Sequence, residues 1–194
     1  MPHGIVTQAA LRIGLFGGTF DPVHLGHVHL AALAREALSL DQVRFLPCRI
    51  SPHKTGTTPR SAEDRLAMLK LATADLPWAV VDDHELQHDG PSFTWQTVEA
   101  MHAAYPAAHL FLIMGGDQWR ALPTWAKPER IAGLVEFIVF PRGEKPEARS
   151  GFSMHAIEGM HPASATAIRE ALAAGETMHP WLDPKVGRWL ADHS

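Results

Sequence analysis

The chain has 194 residues, 46% of them hydrophobic and 20% charged, with a formal net charge of -4 at pH 7. That length suits one α/β domain with a buried core, and the negative charge argues against a nucleic-acid-binding surface. No apolar run approaches the length of a membrane span. The single cysteine, Cys48, excludes an intramolecular disulfide and favours a reducing compartment. The N-terminus also lacks a signal-peptide pattern, so we expect a cytoplasmic protein without a nucleic-acid or membrane partner.

Strands and helices are predicted to alternate along the chain after a loose lead-in over residues 1–10. Apolar and β-branched runs predict strands over 11–16, 42–46, 78–81, 109–114, 134–140 and 152–157. Helical spacing and capping residues predict a first helix that ends at Leu38 and a second from Ser61 to before Pro77. Further helices are predicted over 93–104 behind a Ser92 cap, around Trp119, and over 128–132, 164–174 and 184–191.

This alternation is typical of an α/β fold. We expect a single Rossmann-like domain over residues 1–194, with a parallel sheet and helices on both faces. Ligands of such sheets bind outside the carboxyl ends of the strands. Three loops follow predicted strands and should share one rim of the sheet: the glycine loop that starts at Gly17, Pro52-His53-Lys54, and Gly115-Gly116-Asp117.

The glycine loop has the residues of a phosphate site. It reads Gly17-Gly18-Thr19-Phe20-Asp21-Pro22-Val23-His24-Leu25-Gly26-His27, between a predicted strand and a predicted helix. The glycines let the backbone approach phosphate oxygens, and the helix start offers N–H groups and the positive end of its dipole. His24 and His27 can donate to charge that develops on a transferred phosphoryl group. We therefore expect a nucleotide phosphate at this turn.

Two other interpretations of these histidines are open. His24, His27 and His29 could bind zinc, although no supporting Cys or Glu pattern accompanies them, and this predicts stoichiometric zinc in the purified protein. The histidines could also cap and pack a structural turn, although such a turn does not require two histidines at this spacing.

A second anion-binding pattern is Ser164-Ala165-Thr166-Ala167-Ile168-Arg169. Ser164 is a good helix cap, and Thr166 adds a hydroxyl in the first turn. Helical side chains lean towards the N-terminus, so Arg169 can reach an anion at the helix start. We expect an anion at this helix start, in the C-terminal helical part over residues 164–194. The alternative is an ordinary capped helix with a surface arginine.

The two patterns together resemble the signatures of the nucleotidyltransferase superfamily. His24-Leu25-Gly26-His27 matches its T/H-x-G-H tetrapeptide, and the second pattern is similar to its I-S-S-T-x-I-R motif, with Ala163 and Ala165 as departures. From residue 11 to the end, the chain is similar to bacterial nicotinate-nucleotide adenylyltransferases. The segments that carry this likeness are Pro52-His53-Lys54, Asp82 with Glu85-Leu86, Pro91-Ser92-Phe93-Thr94, Gly116-Asp117 with Pro123-Thr124-Trp125, and Pro141-Arg142-Gly143.

The resemblance implies a role for each matching residue. The implied catalytic residues are His24, His27 and Arg169. The implied ATP-binding residues are Gly17, Gly18, Thr19, Phe20, His24, Gly26, His27, Gly115, Asp117, Ser164, Thr166, Ile168 and Arg169, and the phosphate loop holds His53 and Lys54. Nicotinate mononucleotide would contact Phe20, Asp21, Ser92, Phe93, Thr94, Trp125 and Ala126. The Trp125 indole would stack on the pyridine ring, and its alternative role is core packing.

The implied reaction transfers the adenylyl group of ATP to nicotinate mononucleotide and gives deamido-NAD and pyrophosphate. Mg²⁺ would be held by the ATP phosphates rather than by a protein metal site, and the small-molecule partners would be ATP and nicotinate mononucleotide. Phe93 and His88 stand where the family commonly has tyrosine and arginine, and Cys48 replaces a usual polar residue. These departures concern the fine substrate contacts.

Three other functions remain open. The chain could prefer the amidated mononucleotide, could be the related pantetheine-phosphate adenylyltransferase, or could be a catalytically silent nucleotide sensor. The second would not need Trp125 or the segment from Ser92 to Thr94 as a ring clamp, and intact His24, His27 and Arg169 argue against the third. The sequence leaves the oligomeric state open, together with loop closure and the degree of preference for acid over amide.

Overall fold

Six parallel strands form the centre of the structure, a computed structural model that describes residues 10–50, 58–141, 143–176 and 178–193. The strands are β1 (Arg12–Gly18), β2 (Gln42–Pro47), β3 (Ala79–Val81), β4 (His109–Gly115), β5 (Glu136–Phe140) and β6 (Met154–Ala156). They pair in the order β3-β2-β1-β4-β5-β6, and each of these pairs is parallel. The expectation of a parallel sheet is confirmed.

Helices cover both faces of this sheet, as expected. They are α1 (Leu25–Leu38), α2 (Ala62–Thr73), α3 (Thr94–Ala104), α4 (Gly116–Ala121), α5 (Pro128–Ala132), α6 (Ala165–Ala173) and α7 (Pro184–Asp192). Short 3₁₀ turns lie at His84–Leu86 and Leu122–Thr124. Within the described ranges, each helix is too short or too polar to cross a membrane.

Alternate residues of the central strands pack on opposite faces of the sheet. Phe111 and Ile113 of β4 belong to the core under α1, α2, α6 and α7, whereas Leu112 belongs to the core under α3, α4 and α5. All three side chains are at most 6% exposed. A strand that is buried on both faces reads as one continuous apolar run, which is the pattern of residues 109–114.

Some element boundaries differ from the prediction. Ser61 caps α2 as expected, because its side chain accepts a hydrogen bond from the backbone N–H of Asp64 at 3.0 Å. Ser92 does not cap α3, which begins at Thr94 with Phe93 at the capping position. The Ser92 hydroxyl instead accepts a hydrogen bond from the backbone N–H of Arg49 at 2.9 Å. A contact with the end of β2 therefore replaces the predicted local cap.

The strand order places a crevice between β1 and β4. The chain leaves β1 towards β2 and β3 and returns to β4 on the other side of β1, so the connections diverge at this point. Ligands of open α/β sheets bind at such a switch point, outside the carboxyl ends of the strands. Gly18 ends β1 and Gly115 ends β4, so two of the three predicted loops meet there. The third, with His53 and Lys54, lies outside the described residues, as does most of the predicted lead-in.

Candidate active site

A cavity opens at this crevice, between the ends of β1, β2 and β4 and the start of α3. The residues of the glycine loop that line it are Gly17, Gly18 and Thr19, and those of the predicted nicotinate segments are Ser92, Thr94 and Trp125. Its other polar lining residues are Cys48, Glu85, Thr97 and Gln118, and its apolar wall includes Leu46, Val98 and Leu112. Three stretches that lie far apart in sequence thus meet around one space.

Trp125 lies at the wall of this cavity and is half-buried. It follows the 3₁₀ turn at Leu122–Thr124, and its backbone N–H donates to the carbonyl of Leu122 at 3.0 Å. The indole also packs on the core beneath α3, α4 and α5. Core packing and ring stacking are thus compatible roles for this residue, because part of the side chain is buried and part reaches the cavity. Phe93 and Ala126, predicted to contact the same ligand, lie outside the cavity lining.

The two glycines that begin the loop have different surroundings. Among the residues that the structure describes, none has a heavy atom within 4 Å of a Cβ built on Gly17, so the backbone there is not covered by them. A Cβ on Gly18 would lie 3.0 Å from the ring of Phe20, which is 2% exposed. The Phe20 ring therefore forms a buried support beneath the turn, and only its backbone is left for the predicted nucleotide contact.

His24 and His27 form one stacked unit at the start of α1. Their ring centroids are 3.7 Å apart with an interplanar angle of 21°. The backbone N–H of His24 donates to Nδ1 of His27 at 3.2 Å, so a neutral His27 carries its proton on Nε2. The Phe20 ring packs edge-on against His27 at 5.0 Å between centroids. This geometry fixes the His27 ring and leaves Nε2 as the atom that can donate.

The backbone donors at the start of α1 are partly occupied. The N–H of Leu25 donates to the carbonyl of Trp181 at 2.8 Å, and the N–H of His27 donates to the carbonyl of His24 at 2.9 Å. The prediction of an open helix start did not include the contact with Trp181, which comes from a segment far along the chain. The site therefore relies on the histidine side chains and the glycine backbone more than on these two N–H groups.

Arg169 joins the second predicted motif to the first. Its Nη1 donates to the carbonyl of Asp21 at 2.7 Å, and its Nη2 donates to the hydroxyl of Thr166 at 3.2 Å. Ser164 caps α6 as predicted, by accepting a hydrogen bond from the N–H of Ala167 at 3.5 Å. The guanidinium of Arg169 therefore links α6 to the loop that leads into α1, and the starts of the two helices lie near each other.

Gly26 of α1 packs closely against Ala163, which precedes α6. A Cβ on Gly26 would lie 3.0 Å from Nδ1 of His24 and 3.2 Å from Cβ of Ala163. The cavity described above is lined, within the described ranges, by β-strand ends, α3, α4 and nearby loops but by no residue of α6. His24 and His27 likewise lie outside this lining, and the joint contact of the two helix starts with ATP stays a prediction.

The remaining predicted contacts occupy different environments. Asp117 is exposed and forms an ion pair with Arg120, and a Cβ on Gly115 would have no heavy atom within 4 Å. The Ile168 side chain is fully buried, so it packs α6 on the core. Asp21 is 8% exposed, and its Oδ2 accepts a hydrogen bond from the N–H of Arg60 at 3.2 Å. Contacts of all four with a nucleotide stay predictions.

Sequence reasoning missed Arg65, which is 2% exposed. Its Nη1 donates to the carbonyls of Thr19 at 2.9 Å and Cys48 at 2.8 Å, and its Nε donates to the carbonyl of Arg60 at 3.1 Å. This side chain ties the glycine loop to the segment after β2. Its spacing from Met68 and Leu69 places it on the buried face of α2, which is the only signal that the sequence offers.

Glu85 is a second residue without a predicted role. It follows β3, lines the cavity, and accepts a hydrogen bond from the hydroxyl of Thr97 at 2.7 Å. Burial raises the pKa of Glu85 above the ordinary value of 4.5, although hydrogen bonds from Thr97 and Ser92 favour its ionised form. The segment with Glu85 entered the family resemblance, but spacing alone does not show that its carboxyl reaches the cavity.

Comparisons with known proteins agree with this geometry. Residues 15–171 match the model of the cytidylyltransferase-like family. A protein of Geobacillus thermodenitrificans named "Probable nicotinate-nucleotide adenylyltransferase" is 40% identical over 174 residues, 86% of this chain and 77% of that protein. A protein of the same name from Albidiferax ferrireducens is 39% identical over 94% of this chain and 96% of its own.

A solved structure shows the same fold at low sequence identity. It is the Plasmodium falciparum nicotinic acid mononucleotide adenylyltransferase complexed with NaAD, which has a TM-score of 0.76 and 15% identity. The match covers 94% of this chain and 96% of that chain. The solved structure supports the fold, and the family model and the two relatives establish that the chain is a nucleotidyltransferase of the cytidylyltransferase-like family and belongs to the nicotinate-nucleotide adenylyltransferases.

Proposed function

We propose that this chain catalyses adenylyl transfer from ATP to nicotinate mononucleotide. A 5′-phosphate oxygen of the mononucleotide attacks the α-phosphorus of ATP, the bond from that phosphorus to the bridging oxygen breaks, and pyrophosphate leaves. The observation that carries this assignment is the cavity that joins Ser92, Thr94 and Trp125 to the glycine loop. This cavity combines the flat indole of Trp125, the start of α3 at Thr94 and the backbone of the glycine loop, which can approach phosphate.

The nicotinate end of the substrate suits the wall of this cavity. A cationic pyridinium ring favours an indole face, which Trp125 supplies. A carboxylate on that ring favours backbone N–H groups and the positive end of a helix, and Thr94 is the first residue of α3. We therefore assign the ring to Trp125 and the carboxylate to the segment from Ser92 to Thr94.

The triphosphate belongs, in this proposal, to the bridged starts of α1 and α6. In phosphoryl transfer the protein contributes mainly by positioning the reactants and by stabilising the charge that develops. Nε2 of His27 faces the developing charge, supported by His24, while Arg169, Ser164 and Thr166 hold the leaving phosphates together with the Lys54 loop. Residues 164–194 then complete the ATP site, and the whole chain acts as one domain.

A divalent ion assists charge neutralisation in nucleotidyltransferases, and we expect Mg²⁺ to enter with ATP. Phosphate oxygens are the hard ligands that Mg²⁺ prefers, so its chemistry is to shield the triphosphate charge. Across the described ranges, no three His, Cys, Asp or Glu side chains lie together as a metal-binding group. We place the reaction in the cytoplasm, where a lone thiol such as Cys48 stays reduced.

Pyrophosphate release from ATP tests the assignment directly. Nicotinate mononucleotide, nicotinamide mononucleotide and pantetheine phosphate are offered in turn to the purified chain. The first is expected to give the highest kcat/KM. Preferred turnover of pantetheine phosphate would assign the related activity, and no release with any of the three would support a nucleotide sensor.

The role of His27 is tested with an asparagine substitution. In His27→Asn the amide oxygen can still accept from the His24 N–H, but the donor at Nε2 is lost. We expect kcat to fall about 100-fold or more, the range seen when one transition-state donor is removed. The matched control is His29→Asn, an exposed histidine on the same helix, which should keep its activity. Equal activity of both variants would show that His27 is only structural.

A further inference from the structure

Glu85 is a carboxyl group inside the proposed nicotinate end of the cavity. It lines the same wall as Ser92, Thr94 and Trp125. Its carboxylate accepts a hydrogen bond from the hydroxyl of Thr97 at 2.7 Å. Thr97 belongs to α3, three residues after its start at Thr94. Glu85 therefore lies directly behind the helix start to which we assign the substrate carboxylate.

The charged neighbours of Glu85 are engaged with other groups. On its own segment, Asp82 pairs with Arg44 of β2 at 2.9 Å, and the His84 ring packs on that of His88. After β2, Arg49 donates to the carbonyl of Leu86 at 2.8 Å and pairs with the exposed Asp89.

From the other elements around the cavity, α3 contributes the Thr97 hydroxyl to Glu85, and α4 contributes the neutral amide of Gln118 to the same wall. The glycine loop and the end of β2 contribute Thr19 and Cys48. The nearest acidic and basic groups, Asp82 and His84, act on Glu85 in opposite directions and are smaller influences than its burial. The charge of Glu85 is thus controlled mainly by its removal from water.

We propose that Glu85 determines how strongly the cavity discriminates a carboxylate from an amide on the pyridine ring, and that this discrimination changes with pH. When Glu85 is neutral, the nicotinate carboxylate meets only hydroxyl and N–H groups. When Glu85 is ionised, it repels that carboxylate, whereas an amide can donate an N–H to it. The preference for the acid should therefore fall as the pH rises.

The inference rests on the proposed function, because it concerns which mononucleotide that reaction accepts. Burial raises the pKa of Glu85, so this carboxyl keeps its proton to a higher pH than an exposed glutamate does. The substrate carboxylate stays ionised throughout this range, because it is attached to a cationic ring. The 5′-phosphate titrates alike in the acid and the amide mononucleotide, so its effect cancels in a ratio of the two.

The test is the ratio of kcat/KM for nicotinate mononucleotide to kcat/KM for nicotinamide mononucleotide, measured from about pH 5 to about pH 8.5. We expect the ratio of the wild type to fall about tenfold over this range, as for two charges some 6 Å apart at an effective dielectric constant of about 40. In Glu85→Gln the ratio should stay constant and should exceed that of the wild type at high pH.

The matched control is Asp83→Asn, which removes an exposed carboxylate two positions away and should keep the wild-type pH dependence. A Glu85→Gln variant with the wild-type slope would overturn the inference, as would a wild-type ratio that does not change with pH. A merely structural role of Glu85 would change both kcat/KM values without removing this slope.

A second measurement needs no variant. Calorimetric titrations of the wild type with each mononucleotide, at several pH values across the same range and in buffers of different ionisation enthalpy, report the protons taken up on binding. We expect uptake of a fraction of a proton with the acid and less with the amide, since a nearby anion favours neutral Glu85. Equal uptake would overturn the inference while leaving the reaction assigned. If neither mononucleotide supports pyrophosphate release, the proposed function itself is wrong.

Discussion

The guanidinium of Arg65 is a buried cation whose donors meet three backbone carbonyls, those of Thr19, Cys48 and Arg60. A buried charge is costly unless its donors are satisfied, and hydrogen bonds from charged donors are stronger than neutral ones. Because two of the carbonyls belong to residues that line the cavity, the same bonds that stabilise the fold also hold the cavity wall in place.

Replacement of Arg65 by methionine should cost both stability and activity. Arg65→Met keeps a long side chain on α2 but leaves three carbonyls without their donor, so the free energy of unfolding should fall by about 2–4 kcal/mol. Urea denaturation measures this fall, and Lys70→Met, an exposed substitution on the same helix, serves as the control. Equal stability of the two variants would contradict the role given to Arg65.

At the residue scale, a local sequence pattern predicts His24, His27 and Arg169 as site residues. The structure places His24 at the N-cap of α1, His27 in its first turn and Arg169 within α6, and their catalytic roles stay predictions. Arg65 was missed because a cation between apolar residues of a helix is normally assigned to the solvent side. Its partners are backbone carbonyls of distant loops. Every residue type has a backbone carbonyl, so the sequence does not indicate these contacts.

At the scale of elements, the contact between α1 and α6 depends on small residues. Gly26 and Ala163 approach so closely that an added methyl group would press on the His24 ring. The separation of the two helix starts is therefore set by the absence of a side chain at one position and by a single methyl group at the other. The bridge from Arg169 to Asp21 spans the same gap.

Gly26→Ala tests this contact. The new Cβ would lie 3.0 Å from His24 Nδ1 and 3.2 Å from Ala163 Cβ, so we expect stability to fall by about 1 kcal/mol and kcat to fall with it. Gly187→Ala in α7 is the control, because its Cβ would meet only Met178 Sδ at 3.8 Å. That variant should gain about 0.5–1 kcal/mol from helix propensity. Thermal unfolding and pyrophosphate release distinguish the two, and a stabilised, fully active Gly26→Ala would refute the close packing.

Element types were predictable because the apolar periodicity of strands and helices differs. The start of α3 was not, because the Ser92 hydroxyl has two possible partners, the first turn of its own helix and the N–H of Arg49. The second partner lies on another strand end, and only the folded chain brings it within reach. The end of β6 was likewise predicted too long, since three residues suffice to pair with β5.

For the whole molecule, the titration of Glu85 couples stability to pH. Its raised pKa means that the folded chain keeps this proton to a higher pH than the unfolded chain. The corresponding stabilisation is complete below the ordinary value of 4.5 and is lost as the pH rises through the raised value. The contribution of Glu85 to the free energy of unfolding of the wild type should therefore decrease as the pH rises over this interval.

In Glu85→Gln the side chain no longer titrates, so its contribution to the pH dependence of stability is removed. The free energy of unfolding of the variant, relative to the wild type, should increase as the pH rises from about 4.5 to about 8. Urea denaturation at each pH measures the difference, with Glu129→Gln, an exposed glutamate of α5, as the control. A difference that stays constant with pH would show that Glu85 titrates alike in the folded and unfolded chains.

The sheet topology could be expected from the alternation of strands and helices and from the handedness of their crossovers. The contacts that join the last part of the chain to the glycine loop and α1 could not be expected in this way. The carbonyl of Trp181 on the N–H of Leu25, and Arg169 on Asp21, join the last part of the chain to the first loop. Such contacts depend on how the completed layers pack, which the local sequence does not specify.

These contacts from Arg169 and Trp181 have a consequence for the order in which the structure forms during translation. A ribosome delivers the glycine loop and α1 first, and it completes the sheet when Ala156 of β6 appears. The nascent chain then carries Ser92, Thr94 and Trp125 of the cavity wall, but it lacks Arg169 and the carbonyl of Trp181. The two contacts that join the first loop and α1 to residues beyond β6 therefore form late in translation, and a polypeptide released before Arg169 would lack both.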